Sequence, residues 1–61
     1  MSNINGVELQ NLRHLILSHD TMSCKMSSYA QDAQSPDVKQ FFEKSANSAK
    51  QEKTQLMQYL N

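Results

Sequence analysis

Gln34-Ser35-Pro36-Asp37 lies near the middle of a 61-residue chain and contains its only proline. Proline disfavours helical geometry in the residue before it, so Ser35 is predicted to leave a helix at this point. Ser35 then suits the N-cap of a second helix, Pro36 suits its first turn, and Asp37 favours the positive end of its dipole. The stretch therefore predicts a short turn, which places the two flanking helices side by side and antiparallel.

Apolar residues recur at helical spacing on both sides of this turn. We predict a flexible tail over residues 1–6 with Asn5 as a cap, a helix over 7–34, a turn at 35–36 and a helix over 36–60. Both apolar stripes are wider than a two-helix contact requires, so we expect an all-α hairpin that dimerises into a four-helix bundle. The residues predicted for the core or the dimer interface are Leu12, Leu15, Ile16, Met22, Met26, Val38, Phe42, Ala49, Leu56 and Leu60.

The composition favours association and argues against several functional classes. Small chains usually compensate for a small core with disulfides, a metal or association, and the single cysteine cannot form an internal disulfide. Six basic and six acidic residues balance, which argues against a nucleic-acid binder and a polybasic membrane anchor. No apolar run is long enough to span a bilayer, and the start lacks the features of a signal peptide. We therefore expect a soluble, cytoplasmic homodimer.

Two polar residues interrupt the apolar stripes, His19 in the first helix and Glu52 in the second. They lie the same number of residues from the midpoint of the turn, so an antiparallel hairpin should bring them into one layer. One interpretation is a metal site formed by both subunits, as in ferritin-like bundles. The other, which we favour, is an ion pair or hydrogen bond that fixes register, because neither residue belongs to a Glu-x-x-His motif. No cofactor is predicted.

Cys24 and Leu17 lie one heptad apart on the back of the first helix. They are either half-exposed side chains of no consequence or a secondary contact surface that Cys24 could cross-link under oxidising conditions. No histidine adjoins Cys24 in sequence, so it is not interpreted as a catalytic nucleophile.

Three stretches carry a resemblance to a known family. They are Leu9-Gln10-Asn11-Leu12-Arg13-His14-Leu15, Tyr29-Ala30-Gln31-Asp32, and Ser35-Pro36-Asp37-Val38-Lys39-Gln40-Phe41-Phe42. With them the chain resembles the spore coat protein F-like family of spore-forming Firmicutes, whose domains are ferritin-like helical hairpins. The resemblance implies a dimeric four-helix bundle and a role in sporulation or the spore coat, with other coat proteins as partners.

The functional expectation is a non-enzymatic structural or interaction protein, located in the cytoplasm or the spore. Two alternatives stay open from the sequence. One is a minimal ferritin-like metal protein that uses His19 and Glu52 from both subunits. The other is a small helical regulator that offers one helix face to a partner protein.

Overall fold

The computed structural model describes residues 4–60, which form two antiparallel helices packed against each other. Helix α1 spans Gly6–Asp32, helix α2 spans Pro36–Met57, and a single 3₁₀ turn spans Gln58–Leu60. Residues 4–60 contain no strand. The prediction of an all-α hairpin is confirmed. The hairpin is an elongated rod of 46 × 15 × 11 Å.

A reciprocal capping box starts α1. The Asn5 side chain accepts a hydrogen bond from the Glu8 backbone N–H at 2.8 Å, and Glu8 Oε1 accepts one from the Asn5 N–H at 3.2 Å. Both donors would otherwise lack an intrahelical partner. The predicted cap at Asn5 is confirmed, but Gly6, predicted as tail, is the first helical residue. Residues 1–3 of the predicted tail lie outside the described residues.

The reversal between the helices uses three residues, 33–35. Helix α1 ends at Asp32, two residues before the predicted end, and Ala33 and Ser35 are extended with ψ of 132° and 130°. No residue between 4 and 60 has a positive φ, glycine included, so the chain reverses without a left-handed residue. Ser35 is the N-cap, as predicted, but its side chain makes no capping hydrogen bond.

The α-helical part of α2 ends before residue 60, the predicted end, and a 3₁₀ turn follows it. The helix ends at Met57, and the Gln58 N–H donates to the carbonyls of both Gln55 and Leu56. Such shared hydrogen bonds and a final 3₁₀ turn are common at helix ends, where the last carbonyls have no regular partner. The predicted helix over 36–60 is thus an α-helix with a 3₁₀ turn at its end.

Small residues fill the line along which α1 and α2 meet, which we call the seam. Its buried residues are Leu12, Ser23, Ala30, Ala46 and Ala49. On α1, Ser23 and Ala30 are seven residues apart, and on α2, Ala46 and Ala49 are three apart, which is the heptad pattern of antiparallel helix pairs. Ser23, Ala30 and Ala46 were absent from the predicted core. Small side chains allow the two helix backbones to approach closely, so they occupy the seam.

The larger apolar residues of the predicted core lie beside the seam. Leu12 and Ala49 are buried, whereas Ile16, Met26, Phe42 and Leu56 are half-buried. Leu15, Met22, Val38 and Leu60 are exposed in the single chain, with Leu15, Met22 and Val38 each 47% accessible. The physical reason is that both helices are rotated toward their small residues, which turns the bulky ones onto one flank of the hairpin.

Candidate functional site

One flank of the hairpin carries most of its exposed bulky side chains. We call this surface the open apolar face and define it by Leu15, Met22, Tyr29, Val38, Phe41 and Tyr59, which are 46–63% accessible. Three shallow grooves follow this flank, from Tyr59 beside Leu15, past Met22, to Tyr29 beside Val38. Bulky residues stand at both ends, whereas Ser18, Ser45 and Ser48 border the middle groove. The face is therefore long, with bulky apolar side chains at its ends and small serine side chains along its centre.

The other flank of the hairpin is polar. Lys53 Nζ donates to Asp20 Oδ1 at 2.9 Å, and a groove nearer the turn is bordered by Lys39, Glu43 and Asn47. A partly exposed surface ion pair of this kind contributes only about 0–1 kcal/mol. The contrast between the flanks matters more, because one is suited to water and the other is suited to burial.

The Asp20–Lys53 pair was not predicted. Its residues are 33 positions apart, the same separation as His19 and Glu52. Asp20 is one residue nearer to the turn than His19, whereas Lys53 is one residue farther from it than Glu52, so equal distance from the turn would have paired Asp20 with Gln51. Counting from the turn would therefore not have found the Asp20–Lys53 pair.

His19 and Glu52 meet beside the middle of the open apolar face. His19 Nε2 lies 2.6 Å from Glu52 Oε2, as expected from their equal distance to the turn. The other ring nitrogen, Nδ1, lies 2.9 Å from the Leu15 carbonyl oxygen one turn earlier in α1. The His19 side chain is 25% accessible and that of Glu52 is 59% accessible. The single hairpin thus leaves the pair partly open to solvent.

The two contacts of His19 determine its protonation. A carboxylate and a carbonyl oxygen can only accept hydrogen bonds, so both ring nitrogens must carry a proton to make both contacts. The Leu15 carbonyl is the largest cause that raises the pKa of His19 above its ordinary value of 6.5, Glu52 raises it further, and partial burial opposes them. The arrangement therefore favours an imidazolium–carboxylate pair with no net charge.

Two of the serine hydroxyls that border the middle groove are satisfied within their own helices. Ser18 Oγ donates to the His14 carbonyl at 2.9 Å, and Ser45 Oγ donates to the Phe41 carbonyl at 3.0 Å. A hydroxyl bonded in this way needs no water and can be covered by an apolar neighbour at little cost. These two hydroxyls therefore do not oppose burial of the face.

An aromatic cluster forms the end of the open apolar face next to the turn. The rings of Tyr29 and Phe42 pack edge to face with centroids 5.3 Å apart, and those of Phe41 and Phe42 do so at 5.6 Å. Phe41 is nevertheless 63% accessible. Edge-to-face pairs add about 0.5–1.5 kcal/mol to the burial of aromatic area, so the cluster is held in place while one side remains uncovered.

The remaining candidate residues lie apart from this face. Among residues 4–60, no three His, Cys, Asp or Glu side chains are grouped so that they could hold a metal ion, and His14 is exposed. Leu17 is 63% accessible and Cys24 is an exposed free thiol. In the described part of the chain, neither helix is long and apolar enough to cross a membrane.

Comparisons with protein-family models, with curated proteins and with solved structures gave no match. The class of protein is therefore defined here by fold and site together. The chain is an all-helical hairpin with one polar flank and one open apolar face that has a hydrogen-bonded histidine–glutamate layer beside it.

Proposed function

We propose that this chain is a non-enzymatic interaction protein that works as a homodimer, in which two open apolar faces pack together into a four-helix bundle. The observation that carries the proposal is that the hairpin buries few large apolar side chains and leaves many of them accessible. The buried apolar residues are one leucine and three alanines, whereas six large apolar side chains lie on one accessible face. Two-helix hairpins with such a face bury it by pairing.

The large accessible surface of the hairpin supports the proposal that a partner covers part of it. Its accessible surface is 4870 Å², against about 4000 Å² expected for a compact monomer of this mass. A face of 46 by 15 Å has a footprint on the order of 700 Å², close to the ~800 Å² that each partner buries in a standard interface. One copy of the hairpin is therefore the right size to cover another.

A second copy is also the occupant that best matches the chemistry of the face. The chain has no net charge, so two copies do not repel each other strongly. The bulky ends and the serine-lined middle of the face match those of a second copy, in which bulky residues meet bulky ones and small residues meet small ones. The neutral His19–Glu52 layer adds no uncompensated charge when it is covered.

The mass of the protein in solution tests the proposal. We expect native mass spectrometry and sedimentation to give twice the chain mass of 7.0 kDa. Met22→Lys should dissociate the dimer because it places a charge on the open apolar face, whereas Thr21→Lys adds the same charge at an exposed neighbouring position. A wild-type monomer would contradict the proposal and favour a regulator that binds a different protein.

The biological setting is proposed from the sequence resemblance alone. The motifs shared with the spore coat protein F-like family suggest a role in sporulation or in the coat, with other coat proteins as partners. Quantitative mass spectrometry of purified spores and of vegetative cells tests this assignment. Enrichment of the chain in spores is expected, and equal amounts in both would contradict it.

A further inference from the structure

We propose that the dimer contact is proton-dependent, so that the two copies associate tightly while His19 is protonated and separate as the solution becomes alkaline. The inference rests on the proposed function, because it concerns the same open apolar face. It assigns to the polar layer a regulatory role that the fold alone does not require.

The location of the pair couples it to the dimer contact. His19 and Glu52 border two neighbouring grooves of the face, one shared with Leu15 and Tyr59 and the other shared with Met22 and Ser45. A second copy seated on the face therefore covers the pair together with the apolar residues on either side of it. Association removes the water that now reaches the Glu52 side chain, which is 59% accessible in the single chain.

The hydrogen bonds explain why protonation matters. With both ring nitrogens protonated, His19 donates to the Leu15 carbonyl and to the Glu52 carboxylate, and the pair has no net charge. When His19 loses one proton, one of these contacts is left with two acceptors and no hydrogen between them. The negative charge of Glu52 is then no longer balanced by a positive charge on His19. Covering an uncompensated carboxylate is strongly unfavourable, and a symmetric dimer would cover two of them.

The other charged groups near His19 are already accounted for. On α1, the neighbouring Asp20 accepts from Lys53 of α2, and this pair belongs to the polar flank. Tyr59 of the 3₁₀ turn borders the same groove as His19. A second copy would bring the same set of groups. Within residues 4–60, His19 is thus the group at this contact that ordinarily titrates closest to neutral pH.

The size of the effect follows from linkage. If each copy holds the His19 proton about tenfold more tightly in the dimer than in the monomer, the dimer dissociation constant changes by about 100-fold between the two protonation states. We therefore expect the dissociation constant to rise at least tenfold from pH 6 to pH 9.

Sedimentation equilibrium at pH 6, 7.5 and 9 tests the inference. Cys24→Ala should be the parent chain, because an exposed thiol oxidises at alkaline pH. A dissociation constant that stays within twofold over this range would overturn the proton dependence and leave the homodimer standing. A protein that is monomeric even at pH 6 would instead overturn the proposed function.

Glu52→Gln identifies the responsible pair. The amide of the variant can donate to the neutral Nε2 of His19, so the layer is uncharged and hydrogen-bonded at alkaline pH. We expect this variant to remain dimeric at pH 9 and to associate less tightly at pH 6. Asp20→Asn, on the polar flank, is the matched control and should keep the wild-type response. Alkaline dissociation of Glu52→Gln equal to that of the parent would overturn the inference.

A titration of the parent chain itself covers the case in which a variant fails to fold. The ring protons of His19 and His14 can be followed by NMR at concentrations above and below the dissociation constant. The pKa of His19 should fall on dilution, because the monomer leaves the pair in water, while the ring signals of the exposed His14 should not respond to concentration. Equal behaviour of the two histidines would contradict the inference.

Discussion

At the scale of single residues, His19 connects the helix backbone, the opposite helix and the accessible surface. Its pKa is raised in the folded hairpin, chiefly by the Leu15 carbonyl and then by Glu52. The associated stability is therefore fully present below the unfolded value near 6.5 and is lost as the pH rises through the higher folded value. We expect the melting temperature, measured by circular dichroism at one protein concentration, to be higher at pH 6 than at pH 9. In His19→Gln the two melts should differ less, and an unchanged difference would contradict this role.

The same pair predicts a coupling between two substitutions. His19→Leu should destabilise the protein because it leaves the Glu52 carboxylate beside an apolar surface, whereas Glu52→Leu should be neutral or stabilising. The double variant should recover much of the loss in His19→Leu. Denaturant titrations of the three variants and the wild type measure the coupling. Effects that simply add would show that the two residues do not act as a pair.

At the scale of elements, the start of α1 combines a capping box with a first residue, Gly6, of low helix propensity. Asn5→Ala removes the capping box and should cost about 1 kcal/mol of unfolding free energy. Gly6→Ala should act in the opposite direction and add about 0.4–1 kcal/mol, since a methyl group there meets no atom within 4 Å and alanine restricts the unfolded chain. Urea titration measures both. A destabilised Gly6→Ala would contradict the helical start at this residue.

The seam between α1 and α2 depends on small side chains. Ala46 is 3% accessible, so Ala46→Leu should force the helices apart and lower the unfolding free energy by about 1–3 kcal/mol. Asn47→Leu, at the exposed neighbouring position, is the matched control and should change stability by no more than about 0.5 kcal/mol. Equal effects in urea titrations would show that the seam does not run through Ala46.

The sequence predicted the elements better than it predicted how they face each other. Proline before an acidic residue and an asparagine at a helix cap are local signals, and they predicted the start of α2 and, to within one residue, the start of α1. The rotation of each helix is set by packing across the hairpin, where Ser23 and Ala46 compete with larger neighbours. A stripe of apolar residues indicates which side of a helix is buried, but it does not separate the side that meets α2 from the side that meets a further partner. The pairing of His19 with Glu52 was predictable because it depends only on distance from the turn.

At the scale of the whole molecule, the single hairpin has a hydrophobic core that is small for its length. Its four buried apolar residues include only one with a long side chain, Leu12. A chain of this size gains little stability from so small a core. Association through the open apolar face would supply the missing burial, and unfolding should then be linked to dissociation. The melting temperature should accordingly rise with protein concentration, and a constant melting temperature over a hundredfold range would contradict the dimer.

Whether a second copy covers the open apolar face can be measured by an isotope-filtered NOE experiment. Mixing ¹³C-labelled and unlabelled chains reveals only contacts between copies. If the two faces pack together, we expect contacts from the side chains of Leu15, Met22, Tyr29 and Val38, and none from Leu17. Contacts from Leu17 and Cys24 instead, or no contacts between copies at all, would contradict this packing.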